Sequence, residues 1–423
     1  MRVYSVPFGT GMQEFRLPED WNVSILKPKH REGLKNPAQK VGTVLKRLGG
    51  RLNARNPGSR AVISINDKTR PVPHHIILPP LLSWLETAGY QRRNITLIIA
   101  VGTHTTMPPS EYPLILPEEI RNRYRVISHD AEDTGNLINL GYSDAGTPCS
   151  INRTFYEADL KIVTGNIEPH QYMGWSGGVK SAVIGLGGSE SIRKNHSMLT
   201  RDGAGPCRFE DNPVRMDVED SGRRIGIQLA LNTVMNASKE ITAVFAGPPE
   251  KVMREGIREA RSLFTVPFHS EFDLLIASPG GYPKDINLYQ SQKALRHASL
   301  AVRPGSPMIL AGACSEGVGH GLYESWMKDK TSHRQVQEAF QREEFRLGPH
   351  KAMLFASDVM NRDVYFVSDL PDKTLRNLLL TPASSIQEAI DDILKKNGSG
   401  HRLNTAILPY GNATVPMAVD SDR

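Results

Sequence analysis

The sequence predicts an α/β protein of two domains, each built on a mainly parallel sheet, with the active site in the cleft between them. Three observations predict it. Short apolar runs alternate with helix-length segments along the chain, the pattern of parallel strands joined by crossover helices. Three of those runs end in polar clusters, and in open α/β sheets ligands bind beyond the carboxyl ends of the strands. The length, 423 residues, exceeds what one small core needs and suits two domains.

The elements follow in order. RVYSVPFG and EFRLPEDWNVSIL read as a short antiparallel pair with polar turns. RAVISIND is the first strand of the sheet, HHIILPPLLSWLETAG a helix stopped by glycine, and NITLIIAVGTHTTM a second strand. PEEIRNRYR is a helix, VISHDAED holds a strand end, and ADLKIVTGNIEPH is again a strand. The polar strand ends are Asp67–Arg70, Gly102–His104 and Glu168–His170. A second block starts near Glu271. FDLLIASPGGYP is a strand leading into a Gly-Pro loop, and NLYQSQKALRHASLAV is the helix behind it. PMILAGAC and VYFVSDL are further strands, with helices at TSHRQVQEAFQREE and SIQEAIDDILKKNG. The boundary is placed at TVPFHSEF, giving an N-terminal domain of residues 1–268 and a C-terminal domain of 269–423. The tail TAILPYGNATVP either supplies the last strand of the second domain or packs back on the first.

Composition narrows the function classes. Hydrophobic residues are 39% and charged residues 23% of the chain, with 36 glycines and 29 prolines, a globular profile rich in loops. The net charge of +6 comes without a basic stripe interleaved with aromatics. It therefore suits one local anion pocket rather than nucleic acid. Cys149, Cys207 and Cys314 lie far apart and cannot build a disulfide framework or a thiolate metal site. No apolar signal core opens the sequence, and no apolar run reaches the ~18 residues of a membrane span. A reducing, cytoplasmic setting is expected.

The densest signal is EPHQYMGWSGGVKSAVIGLGGSESIRKNH, residues 168–196. Its SGGVKS core sets two glycines and two hydroxyls around Lys180, groups suited to phosphate oxygens. The GxxxxGK[ST] pattern of a P-loop fails, because Val179 separates Gly178 from Lys180. Such a loop serves as a tight turn as readily as a phosphate cradle. His104, His170 and His196 sit at loop edges, where imidazole acts as metal ligand or as acid and base. Their spacing matches no short zinc signature. Arg70 offers a planar fork for a carboxylate. Gln290 and Lys293 share one face of a helix behind the Gly280-Gly281 loop, with Tyr289 beside them. These residues alone describe an anion site with a metal option.

Five segments carry a more specific resemblance: DKTRPVP (67–73), GTHTTM (102–107), IEPHQYMGWSGGVKS (167–181), Asn195-His196 and GGYPKDINLYQSQK (280–293), with FVSDL (366–370) besides. In this order and spacing the chain resembles the nickel-dependent lactate racemases and their homologues, from about residue 60 to about 370. The resemblance implies a nickel-pincer nucleotide, a pyridinium mononucleotide with two sulfur-bearing arms, attached covalently to Lys180. It implies His196 as the protein ligand to nickel, and Asp67, Ser176, Gly177 and Gly178 as further cofactor contacts. His104 and His170 match the acid/base pair; Arg70, Tyr289, Gln290 and Lys293 match the substrate contacts. The implied reaction inverts C2 of a 2-hydroxy acid by reversible hydride transfer, and the implied partners are that acid and the cofactor-synthesis enzymes.

Two positions depart from the family pattern. Val179 stands where lactate racemases often carry arginine, so one anionic contact is expected to be either missing or supplied elsewhere, for example by Lys194 or Arg193. His350 stands where they tend to carry tryptophan, which suits a larger or more polar acid than lactate. The expected substrates are a general 2-hydroxy acid or sugar acid first, then lactate, then a diacid such as malate. The competing readings are a non-catalytic homologue that binds the cofactor or a hydroxy acid, and a 2-hydroxy acid oxidoreductase. The absence of a GxGxxG fingerprint disfavours the oxidoreductase. Retention of both acid/base histidines disfavours the binder.

Overall fold

The computed structural model describes residues 1–70, 72–346, 348–397 and 402–419. Pro71 of the DKTRPVP segment and Gly398 of the SIQEAIDDILKKNG helix lie outside the described residues. The chain divides into two units, His30–Leu263 and a second that joins Met1–Lys29 to the residues from Phe264 onward. Among the described residues no helix is long and apolar enough to cross a membrane.

In the His30–Leu263 unit six strands form one sheet. Their order is Ile241–Gly247, Leu229–Met235, Leu160–Asn166, Ala61–Asn66, Ile95–Ala100 and Arg125–Ser128. The first pair is antiparallel and the others are parallel. ITLIIA and LALNTVM are buried at every position, as strands covered on both faces must be. The HHIILPPLLSWLETAG segment forms the helix His74–Thr87, which buries Ile77, Leu78, Leu81, Leu82 and Leu85. Those side chains pack on Ile63, Ile65, Leu97 and Ile99 of the sheet. The chain runs outward from Ala61–Asn66 through Ile95–Ala100 to Arg125–Ser128. It then returns to place Leu160–Asn166 on the opposite flank of Ala61–Asn66. The carboxyl ends of these two central strands, at Asn66 and Asn166, therefore mark a topological switch point, where open α/β sheets bind their ligands.

The second unit carries a six-stranded, all-parallel sheet. Its order is Thr381–Ala383, Val364–Val367, Met308–Ala311, Leu274–Ala277, Asn404–Leu408 and Asn22–Ile25. The opening hairpin forms as expected, Arg2–Phe8 against Gly11–Leu17. Asn22–Ile25 leaves it, however, to pair with Asn404–Leu408. Val6, Phe15, Leu17 and Trp21 bury themselves with Leu274, Ile276 and Ile407. The first 29 residues thus belong with the C-terminal half, which differs from the 1–268 and 269–423 division expected from the sequence. The tail supplies Asn404–Leu408 and Val415–Ala418, the latter parallel to Thr265–Phe268 of the same unit.

Candidate active site

At the switch point of the first unit lies a cleft enclosing about 620 Å³, mouth included. Asn66, Arg70, Gly102, Asn166, Glu168, Ser176, Gly177, Lys180 and Ser181 line it. All three polar strand ends singled out in the sequence contribute. Lys180 is 7% exposed, so its ammonium-bearing chain is largely withdrawn from water beside a cleft that also holds Arg70.

Asp67 and His104, which are not among the lining residues but follow the lining Asn66 and Gly102 closely in the chain, form a carboxylate–imidazole pair. His104 Nδ1 lies 2.8 Å from Asp67 Oδ2, and the Thr69 hydroxyl donates to Asp67 Oδ1 at 2.8 Å. Burial alone would raise the Asp67 carboxyl. Hydrogen bonds from His104 and Thr69, with the charges of His104 and Arg70, outweigh it and hold the group below its ordinary range. An ionised Asp67 keeps the proton on His104 Nδ1 and leaves the Nε2 lone pair as a proton acceptor. Asp67 is thus joined to one of the two histidines that the resemblance marks as the acid/base pair. His170 is set differently: its Nδ1 accepts the Met173 N–H at 3.3 Å. The Tyr172 ring stands edge-on to His170, with centroids 4.7 Å apart, and edge-on to His196 at 5.5 Å.

His196 lies on the helix Ser189–Ser197 and is buried. Burial first, then the charges of Lys180 and Arg70, push its pKa down to about 3. It is therefore a neutral imidazole, the form that ligates metals. Among the described residues no group of three or more His, Cys, Asp or Glu could hold a metal ion. A nickel held at His196 would need donors from the cofactor itself.

The loop Trp175–Lys180 is shaped by close approach. Gly177 has φ +86°, and a Cβ there would lie 2.8 Å from Ile167 Cγ1. Arg215, fully buried, clamps the same loop by donating to the Trp175 carbonyl at 2.8 Å and the Gly177 carbonyl at 3.1 Å. Glu219 neutralises it, accepting from Arg215 Nε at 2.8 Å. The Gly178 N–H is committed to Asn232 Oδ1 at 2.9 Å, and Gly178 does not line the cleft. Arg215 and Asn232 escaped the sequence reading, since neither sits in a glycine-rich segment. Asn66 and Asn166 escaped it as well, although they adjoin the strand ends already marked, and Glu168 was marked as part of a polar strand end without a role.

The residues present fit the nucleotide that the resemblance implies. The cleft lies at the carboxyl ends of the central strands, where open α/β sheets take their ligands. It offers Ser176 and the Gly177 backbone, two cations, a buried Asn66 Oδ1 without a hydrogen-bond partner, and a neutral imidazole near Lys180. Val179, by contrast, is buried, and it packs against Gly222, where an added Cβ would come within 2.6 Å of Val179 Cβ. Lys194 and Arg193 are exposed on their helix and do not line the cleft. Arg70 and Lys180 are the cations among the residues that line the cleft.

In the second unit, Tyr289, Gln290 and Lys293 lie on the helix Leu288–Ala298, capped by Asn287, which accepts the Gln290 N–H at 2.9 Å. The Tyr289 ring is stacked on His320, with centroids 5.5 Å apart, and His350 meets it edge-on at 6.0 Å. Lys351 Nζ stands 4.9 Å from the Tyr289 centroid and donates to Gln292 Oε1 at 2.9 Å. Burial, then the charge of Lys293, holds Lys351 well below the usual lysine range. Burial raises the Tyr289 phenol to about 12. His320 and Lys351 had no sequence signal beyond their proximity to His350 or the Gly-rich loops.

Residues 8–205 match the lactate racemase N-terminal domain and residues 269–415 the lactate racemase C-terminal domain. The lactate racemase of Thermoanaerobacterium thermosaccharolyticum is 29% identical over 404 residues, 91% of this chain and 92% of that protein. That of Lactiplantibacillus plantarum is 30% identical over 360 residues, 84% of each. The structure of the lactate racemase apoprotein from T. thermosaccharolyticum superposes with a TM-score of 0.87 at 26% identity, covering 98% of this chain and 100% of that one. A Thermotoga maritima protein shares the fold, with a TM-score of 0.63 at 17% identity over 92% of this chain and all of its own.

Proposed function

The chain belongs to the lactate racemase family and is an isomerase, and from that premise we propose that it inverts C2 of a 2-hydroxy acid with a nickel-pincer nucleotide joined to Lys180 and His104 and His170 as the acid/base pair. The observation that carries this reading is the Asp67–His104 pair beside a cleft that also holds Lys180. When bound, the nucleotide supplies a ring able to take and return the Cα hydride. The protein's residues do the rest. Lys180 tethers the group, Ser176 and Gly177 hold its phosphate end, and His196 Nε2 ligates nickel. Arg70 anchors the substrate carboxylate through its bidentate fork; the family resemblance adds Tyr289, Gln290 and Lys293 as substrate contacts. His104 Nε2 takes the hydroxyl proton of one enantiomer, and Asp67 stabilises the imidazolium that forms. His170 handles the proton on the other face, since inversion at one carbon needs a base on each side. Three buried thiols, Cys149, Cys207 and Cys314, accord with a reducing, cytoplasmic setting. The resemblance sets His350 where lactate racemases tend to carry tryptophan, which suits an acid bulkier or more polar than lactate.

The test uses protein made alongside the cofactor-synthesis enzymes. Its intact mass should exceed the sequence mass by one nucleotide adduct, and Lys180→Ala should lose that adduct. A panel from lactate through malate to sugar acids, deuterated at C2, should include one acid that is inverted with the deuterium retained. Exchange of the label into solvent would replace hydride transfer by proton abstraction. Release of free keto acid without inversion would make the chain an oxidoreductase. His104→Ala and His170→Ala should each stop inversion with nickel retained; loss of nickel would move that histidine to metal binding.

A further inference from the structure

Behind His196 lies a buried polar chain that the reaction as described does not use. Asn195 Nδ2 donates to the Val214 carbonyl at 2.9 Å and to Asp217 Oδ2 at 2.8 Å. Asp217 Oδ1 accepts a short hydrogen bond from the Ser143 hydroxyl. The other end of the amide, Asn195 Oδ1, faces His196 Nδ1 at 3.1 Å. Ser143, Asn195, His196 and Asp217 are all buried. The amide cannot turn round, because its oxygen would then face a carboxylate and a carbonyl, neither of which has a hydrogen to give. An amide oxygen has no hydrogen either, so the hydrogen of the 3.1 Å contact must sit on His196 Nδ1. The lone pair of the neutral ring is left on Nε2.

We propose that Asn195, held by Asp217 and Ser143, is a positioning residue that fixes His196 as the Nδ1–H tautomer and so presents Nε2 to nickel. This rests on the reading of His196 as the nickel ligand. The arrangement is the carboxylate–histidine–metal triad with an amide inserted between carboxylate and ring; such outer partners set tautomer, ring angle and ligand basicity. The same helix, Pro213–Ile225, carries Asp217 and the Arg215 that clamps the Trp175–Gly177 carbonyls. One element thus orients both the metal ligand and the cofactor loop.

The experiment has two readouts. In the full chain labelled with ¹⁵N-histidine, with His196→Gln used to assign the signal, His196 should report Nδ1–H. In the holoenzyme, nickel loss to a chelator should quicken about 10- to 100-fold in Asn195→Leu, the cost usual for an outer-shell partner. Asp217→Asn keeps an oxygen that accepts from Asn195 Nδ2, and the Ser143 hydroxyl can accept from the new amide; it should retain Nδ1–H and near-wild-type nickel retention. Asp217→Leu removes that acceptor and should quicken nickel loss in the same direction as Asn195→Leu. A residue that merely joins two helices would move neither readout. An Nε2–H tautomer in the wild type, or a folded Asn195→Leu that keeps nickel like wild type, overturns the proposal. Should Asn195→Leu not fold, Asp217→Leu against Asp217→Asn decides by the same two readouts, and equal nickel retention in the two overturns it. His196→Ala separates the two levels: if it loses nickel while Asn195→Leu does not, the relay alone falls. If it keeps nickel, the ligand reading falls and the relay with it.

Discussion

His104 and His196 are both imidazoles beside glycine-rich turns, and their surroundings differ. His104 is 37% exposed by its side chain and hydrogen-bonded to a carboxylate. His196 is buried behind an amide, with Lys180 and Arg70 nearby, so protonation is opposed and metal ligation favoured. Asp67 is therefore worth testing alone. Asp67→Ala should lower the inversion rate by roughly 10²- to 10⁴-fold, the range of a positioned general base, with nickel content and the Lys180 adduct unchanged. Parallel loss of the adduct would instead return Asp67 to the cofactor, as the resemblance implied. From residue type and spacing both histidines read equally as metal ligand or as acid and base; only the resemblance told them apart, because the surroundings that distinguish them are neighbours distant in the chain.

Among the elements, the Trp175–Lys180 loop depends on residues on either side of it. Gly177 is legible in sequence as a close-approach position, and its φ of +86° with Ile167 at its back agrees. Arg215, forty residues on from Trp175, is what holds the loop, and a lone Arg in PVRMDVED looks like a solvated helix residue. Gly177→Ala should cost about 1–3 kcal/mol from the left-handed backbone, read as a lower denaturation midpoint. It should also reduce the fraction of chains bearing the Lys180 adduct, read by intact mass. A stable variant with full adduct would remove the cradle role.

For the whole molecule the telling segment is the first 29 residues. They contribute Val6, Phe15, Leu17 and Trp21 to the core of the second unit and an edge strand to its sheet. A fragment of residues 30–263 should therefore unfold cooperatively in urea, while 264–423 alone should not. Adding a peptide of residues 1–29 should restore a cooperative transition to the latter. A cooperative 264–423 fragment without the peptide would make the N-terminal segment an accessory.

Local pattern determined a good deal on its own. The alternation of strand and helix, the polar strand ends and the glycines around Lys180 depend on periodicity and backbone freedom, which are properties of short segments. The resemblance of five motifs added the family, because their order survives wide divergence elsewhere. Tertiary structure alone decided which sheet Asn22–Ile25 joins, since a short half-buried strand pairs wherever a parallel edge and an apolar face await it. Tertiary structure alone also placed Asn195, Arg215 and Asp217 behind the site. Their hydrogen-bond partners are chosen by helix packing, and the spacing of 22 residues between Asn195 and Asp217 carries no periodicity from which that contact could be read.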